Sequence, residues 1–275
     1  MKIAFIGDSY CADWGPDSYL DIVLRHFNNA ELICTGLKGM ALFHSYETLF
    51  NARIEGLDEM GKILDSQRGV PVIDEADYIV FCITSADRLA TRHTMPCMLN
   101  LMDYYLDPAQ DVELDAFLEH YLLAPYPVKG KGKEKGRKIL QTVKNFYEDL
   151  YDISYFKHIQ IGLLMQIDQL MLQKKKKCIW FTCVDHLWTK KNWPEYYPHF
   201  TPKSGPYGNV ALCDISMSEE HASETEQLQI TKDVRYNHLN EENNLRLANL
   251  IINIIDSNDF TPKEINMKDH FEILK

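Results

Sequence analysis

Two stretches of this chain leave little choice of architecture. Residues 78–84 (Tyr-Ile-Val-Phe-Cys-Ile-Thr) and 177–184 (Lys-Cys-Ile-Trp-Phe-Thr-Cys-Val) are nearly continuous apolar runs of strand length. A strand with one wet face alternates apolar and polar residues, whereas runs like these suit parallel strands covered on both faces. Residues 3–6 and 30–34 read as further strands, and residues 19–27 as a helix capped by Asp17 or Ser18. Residues 44–64 read as helical. Residues 245–255 form an apolar-periodic closing helix, with Asn240 as its N-cap. Such alternation predicts an α/β sandwich on a mostly parallel sheet. At 275 residues the chain can bury a large core, and it reads as a single domain, 1–275.

Residues 96–176 separate two of the strands and are too long for a simple crossover. Helical spacing at 98–106, 112–123, 139–151 and 155–173 predicts a helical insertion that ends in the crossover helix. Within it, residues 129–138 (Lys-Gly-Lys-Gly-Lys-Glu-Lys-Gly-Arg-Lys) are basic and Gly-rich, and read as an exposed solvated loop. No Gly-Lys-Ser/Thr closes that run, so it is not a P-loop. Lysines 174–177 sit at the expected end of a helix, where they complement the dipole. Residues 188–206, rich in Trp, Tyr, Pro, His and Lys, follow a strand end and read either as a specificity loop or as a packed loop whose aromatics cover the sheet edge. The tail, 258–275, is expected to pack peripherally.

The net charge of −11 argues against nucleic acid, because phosphate binding needs a basic face. No apolar stretch reaches the roughly 20 residues of a membrane span, so no membrane partner is expected. The N-terminus enters directly into a strand, which predicts no secretory signal. Seven cysteines include no CxxC pair, and Cys34, Cys82, Cys178 and Cys183 lie in apolar runs. These are expected to be reduced buried thiols, in the cytoplasm or in a particle assembled there. No cofactor is expected, since no Gly-x-Gly-x-x-Gly follows the first strand to mark a nucleotide binder. No metal is expected either: Asp8, Asp87, Asp185 and His238 could meet at strand ends, but their spacing gives little support.

The chemistry-bearing residues lie near the two ends. The first strand stops at Gly7-Asp8-Ser9-Tyr10, which puts a hydroxyl where open α/β sheets bind ligands. A serine attacks only when a base takes its proton, and the base is usually histidine. His238, in Asn-His-Leu-Asn-Glu-Glu-Asn, stands just before the closing helix.

Taken together, the Gly-Asp-Ser-Tyr block and the His-Leu-Asn-Glu block resemble those of the SGNH/GDSL hydrolase family. The resemblance implies a flavodoxin-like three-layer α/β/α sandwich, here expected with a five-stranded sheet. It also implies cleavage of esters, including O-acetyl groups on carbohydrates. By resemblance, Ser9 is the nucleophile, His238 the general base, and the amides of Ser9 and Gly39 the oxyanion donors. The family's third block carries an asparagine donor, but that position holds Ala86 here. Ser85 or Arg88 is the substitute, and Asp8 belongs to the same binding group. The family's acid three residues before the histidine is replaced by Arg235, which leaves Asp233, Asp185 or a backbone carbonyl to orient the imidazole. The partner implied is an ester or acylated carbohydrate. The alternative is a binding or structural protein on the same fold, such as part of an oligomer or viral particle, with the helical insertion as its interaction surface.

Overall fold

The computed structural model describes residues 1–12, 18–28, 30–36, 41–50, 53–57, 63–67, 70–84, 132–183, 200–216 and 239–271. A six-stranded parallel sheet runs through the middle. Its strands are β1 (Lys2–Ile6), β2 (Glu31–Cys34), β5 (Tyr78–Ile83), β6 (Lys177–Thr182), β7 (Tyr207–Ala211) and β8 (Glu264–Ile265), in the order β2-β1-β5-β6-β7-β8. Every pairing in it is parallel. Without the separate hairpin and the short β8, this is the 2-1-3-4-5 order of a flavodoxin-like sheet. The sheet therefore has six strands and not the expected five: the sixth comes from the C-terminal tail, which is held there by the buried Met267 and Phe271.

Successive strand residues point to opposite faces, so each apolar run feeds two cores. Ile3, Phe5, Val80, Cys82, Ile179 and Phe181 face α1 (Tyr19–His26) and α6 (Glu241–Ser257). Ala4, Ile6, Ile79, Phe81, Cys178 and Trp180 face α2 (Leu42–Phe50), α3 (Val72–Glu75) and α5 (Ile153–Gln173). The result is a three-layer α/β/α sandwich. Both expected caps are present. Ser18 Oγ accepts from Asp21 N at 3.4 Å, and Asn240 Oδ1 accepts from Asn243 N at 2.8 Å.

Two further expectations are corrected. Residues 44–64 are not one helix: α2 ends at Phe50, and β3 (Arg53–Leu57) pairs antiparallel with β4 (Ile63–Gln67). Gly56 and Gly61 disfavour helix there, by about 1 kcal/mol each relative to alanine. The basic run is not wholly a loop, since α4 (Gly132–Asp149) takes in everything from Gly132 onward. Its lysines, glutamate and arginine are good helix formers and outweigh the glycines. Helix α4 then turns into α5 through an aromatic cluster, in which Tyr151 stacks on Phe156 at 5.0 Å and Phe146 meets Phe156 edge-on at 5.9 Å. The remainder of the insertion, including 98–106 and 112–123, lies outside the described residues. Among the described residues, no helix is long and apolar enough to cross a membrane.

Candidate active site

The strand order reverses between β1 and β5, and the carboxyl ends of strands at such a reversal form the ligand crevice of doubly wound sheets. Strand β1 is followed there by Gly7, at φ +152°. A Cβ on Gly7 would stand 2.7 Å from the Cys82 carbonyl oxygen, so glycine alone fits against β5. Asp8 and a single 3-10 turn, Ser9–Cys11, follow, closed by Cys11 N donating to Asp8 O at 3.0 Å. Ser9 is thus the first residue of a tight turn just past the end of β1.

That turn is braced from several sides. Asp8 is fully buried. Its Oδ1 accepts from Tyr10 N at 3.1 Å, and its Oδ2 accepts from Thr84 Oγ1 at 2.9 Å. Thr84 follows β5, so one carboxylate ties the two strand ends together. From the other side, Gly36 N donates to Cys11 O at 2.8 Å. Gly36 is packed so tightly that a Cβ would stand 2.6 Å from Cys11 Cβ and 2.7 Å from Asp8 O. Tyr10 is buried and donates through its hydroxyl to Ser216 Oγ at 3.0 Å, while Ser216 donates on to Leu212 O at 2.7 Å.

Beneath the turn, the Tyr19 hydroxyl donates to Cys11 Sγ at 3.4 Å. The thiols of Cys11, Cys82 and Cys183 continue as hydrogen-bonded neighbours, and the last of them reaches the Asp8 carboxylate. Burial pushes all three thiols up, as it does the phenols of Tyr10 and Tyr19. A thiol kept protonated is a poor nucleophile, so this cluster supports the turn and does not compete with a serine. Among the described residues, no group of three or more His, Cys, Asp or Glu side chains is arranged to hold a metal ion.

The start of α6 packs against the same region. Asn244 Oδ1 accepts from Tyr19 N at 3.0 Å, and Asn244 Nδ2 donates to Leu239 O at 2.9 Å. Asn243 Nδ2 donates to Ile215 O at 2.7 Å. Leu239, the residue after His238, is buried in one core cluster with Tyr10, Cys11, Cys183, Leu212 and Ile215.

Of the candidate site residues, Asp8 and the backbone of Ser9 fall in the described structure. Asp8 is turned inward as a brace. His238, Asp233, Gly39, Ser85 and Arg88 lie outside the described residues, as do Ala86, Asp87, Asp185 and Arg235. Of the aromatic specificity segment, only its end is described, and there it is clamped. Asp168 accepts from Lys203 N and Ser204 N, each at 2.9 Å, and Trp180 Nε1 donates to Ser204 Oγ at 3.0 Å. Sequence reasoning missed Thr84, Gly36, Ser216 and the two asparagines of α6. The available signal for Thr84 was a polar residue directly after an apolar run.

Compared with known proteins, the chain matches no family model, no curated protein and no solved structure.

Proposed function

We propose that this protein is a serine esterase of the SGNH type, acting on short-chain esters such as O-acetyl groups of a carbohydrate. One observation carries the reading: Ser9 opens a tight, braced turn at the switch point of a 2-1-3-4-5 parallel sheet, and Leu239, next to His238, packs into the cluster that holds that turn. In the proposed reaction, His238 takes the Ser9 proton as Oγ attacks the ester carbonyl. The amides of Ser9 and Gly39 hold the developing oxyanion, with Ser85 or Arg88 in place of the missing asparagine side chain. His238 then gives the proton to the departing alcohol. Water, activated by the same imidazole, releases the acid. Asp233 keeps the imidazole in the tautomer that accepts at its serine-facing nitrogen.

A second reading, a binding or structural protein that does not turn over, is favoured by Ala86 and Arg235, which replace an oxyanion donor and an acid. Loss of one oxyanion donor costs about 10²–10³ in rate, which leaves measurable catalysis if the nucleophile and base work. Hydrolysis of an aryl acetate by the wild-type chain and by Ser9→Ala separates the two readings. The esterase reading expects a rate that vanishes with Ser9 and labelling of Ser9 by a fluorophosphonate. Equal rates for both proteins, with no labelling, would leave the binding reading standing.

A further inference from the structure

Helix α5 turns one side to the sheet and the other outward. Ile161, Leu164, Ile167 and Met171 are buried in the core beneath it. Tyr155, Ile159, Gly162, Met165, Gln169 and Leu172 lie on the opposite side. Tyr155 is 63% exposed and Met165 61%. Their spacing follows the helical period, so they form one continuous stripe.

The outward face of a surface helix is ordinarily charged or polar. On α4 and α6 the exposed positions hold Lys138, Glu148, Glu241 and Asp256 among others. On α5 no exposed position from Tyr155 to Gln173 is Asp, Glu, Lys or Arg, although 25% of the chain is charged. Protein–protein contacts have this composition: charge is depleted at their centre, and Tyr and Met are enriched. The patch continues onto α2, where Gln166 Nε2 donates to Tyr46 Oη at 3.3 Å and Tyr46 stacks on the half-exposed Phe43.

The glycine at the middle of the stripe is a second, independent sign of a partner. Glycine inside a helix is less stable than alanine, and it is kept where something must approach closely. Among the described residues, nothing lies within 4 Å of a Cβ placed on Gly162. No described neighbour therefore gives a reason for it. A second helix crossing at Gly162 does, because the bare backbone lets the two axes come close between Ile159 and Met165.

The face is also complementary to itself, as a contact between identical copies about a two-fold axis must be. With the axis at Gly162 and the helices antiparallel, glycine meets glycine. The His158–Ile159 step meets the Met165–Gln166 step, and the Tyr155 hydroxyl meets the Gln169 amide. Each copy carries a net charge of −11, so two copies repel, and they repel least where the touching surfaces hold no charge. We propose that the outer face of α5 joins two copies of this chain, packed antiparallel about Gly162. The contact is independent of whether Ser9 turns over an ester.

The test is sedimentation velocity of the full chain in the micromolar range, at about 0.1 M and about 0.5 M salt. Wild type is expected at twice the monomer mass. Salt should strengthen the association, because it screens the repulsion between acidic copies and the contact itself holds no ion pair. Met165→Lys and Ile159→Glu change exposed positions, so their circular dichroism should match wild type. Each should weaken the dimer by about tenfold or more, since it leaves an unpaired charge in the contact. Gly162→Cys tests the register: the two-fold puts the two thiols within the Cα separation of roughly 4.4–6.8 Å that a disulfide needs. Air oxidation catalysed by copper–phenanthroline should then give a reducible dimer for Gly162→Cys, and not for wild type or for Asn253→Cys on the exposed side of α6. A wild type that is monomeric at both salts overturns the proposal and leaves the face to a different partner. So does a dimer that both charge variants leave intact, or a Gly162→Cys chain that cross-links no better than Asn253→Cys.

Discussion

Raising the pH should unfold this protein through its thiols. Cys11, Cys82, Cys178 and Cys183 are buried and free, and burial pushes each thiol up from an ordinary value of 9.0. In the unfolded chain the same thiols ionise near that ordinary value. The folded state therefore binds more protons than the unfolded state above pH 9. The associated stability is fully present below pH 9 and is lost as pH rises toward the folded values. Each thiol contributes about 1.4 kcal/mol per pH unit, so four cost on the order of 6 kcal/mol at pH 10. That is comparable to the roughly 5–15 kcal/mol that holds a typical domain together. The assay is urea unfolding followed by far-UV circular dichroism at half-unit steps from pH 7 to 10.5. Stability should be flat to about pH 8.5 and then fall, with a slope approaching four protons. A slope below one proton up to pH 10.5 would refute the reasoning, because it would mean that the four thiols ionise as readily folded as unfolded.

Three further outcomes follow from the braces described above. Gly7→Ala places a Cβ 2.7 Å from the Cys82 carbonyl oxygen at a φ that side chains rarely adopt. It should cost about 1–3 kcal/mol or more, read from a denaturant midpoint, and, on the esterase proposal, abolish ester turnover. Thr84→Val removes a donor from the buried Asp8 carboxylate and should destabilise by roughly 1.5–3 kcal/mol, read by thermal unfolding at pH 7. Asp168→Ala leaves Lys203 N and Ser204 N without their acceptor and should cost about 2–4 kcal/mol, with faster hydrogen exchange at those two amides.

The sheet was legible wherever burial on both faces left a continuous apolar run, as at β5 and β6. The caps were legible because Ser18 and Asn240 act on amides three residues away. Strand β7 was not, because Tyr207-Gly208-Asn209 opens it with residues that read as loop. Gly208 is there for a packing reason, since a Cβ would press on Met267 Sδ at 2.9 Å and on Phe181 at 3.0 Å. The β3–β4 hairpin was missed because its apolar residues also fit a helical period. At the site, sequence marked Ser9 through the Gly-Asp-Ser block, but gave no sign that Asp8 turns inward. The partners of Asp8 lie on other strands: Thr84 is 76 residues away, and Cys183 comes from beyond β6. Contacts of that range leave no local pattern.

The bond from Tyr19 N to Asn244 spans 225 residues. Closing a loop of that length costs about 5 kcal/mol of chain entropy, roughly 1 kcal/mol more than the 76-residue closure between Asp8 and Thr84. The serine turn is therefore expected to join β5 early in folding and to gain α6 late. On a ribosome adding about 5–20 residues per second, the two events are separated by roughly ten to thirty seconds. During that interval the Tyr19 face of α1, which α6 later covers, is an open apolar surface beside an unfinished site. The order of synthesis thus leaves that face as the surface the nascent chain must keep from other contacts until α6 arrives.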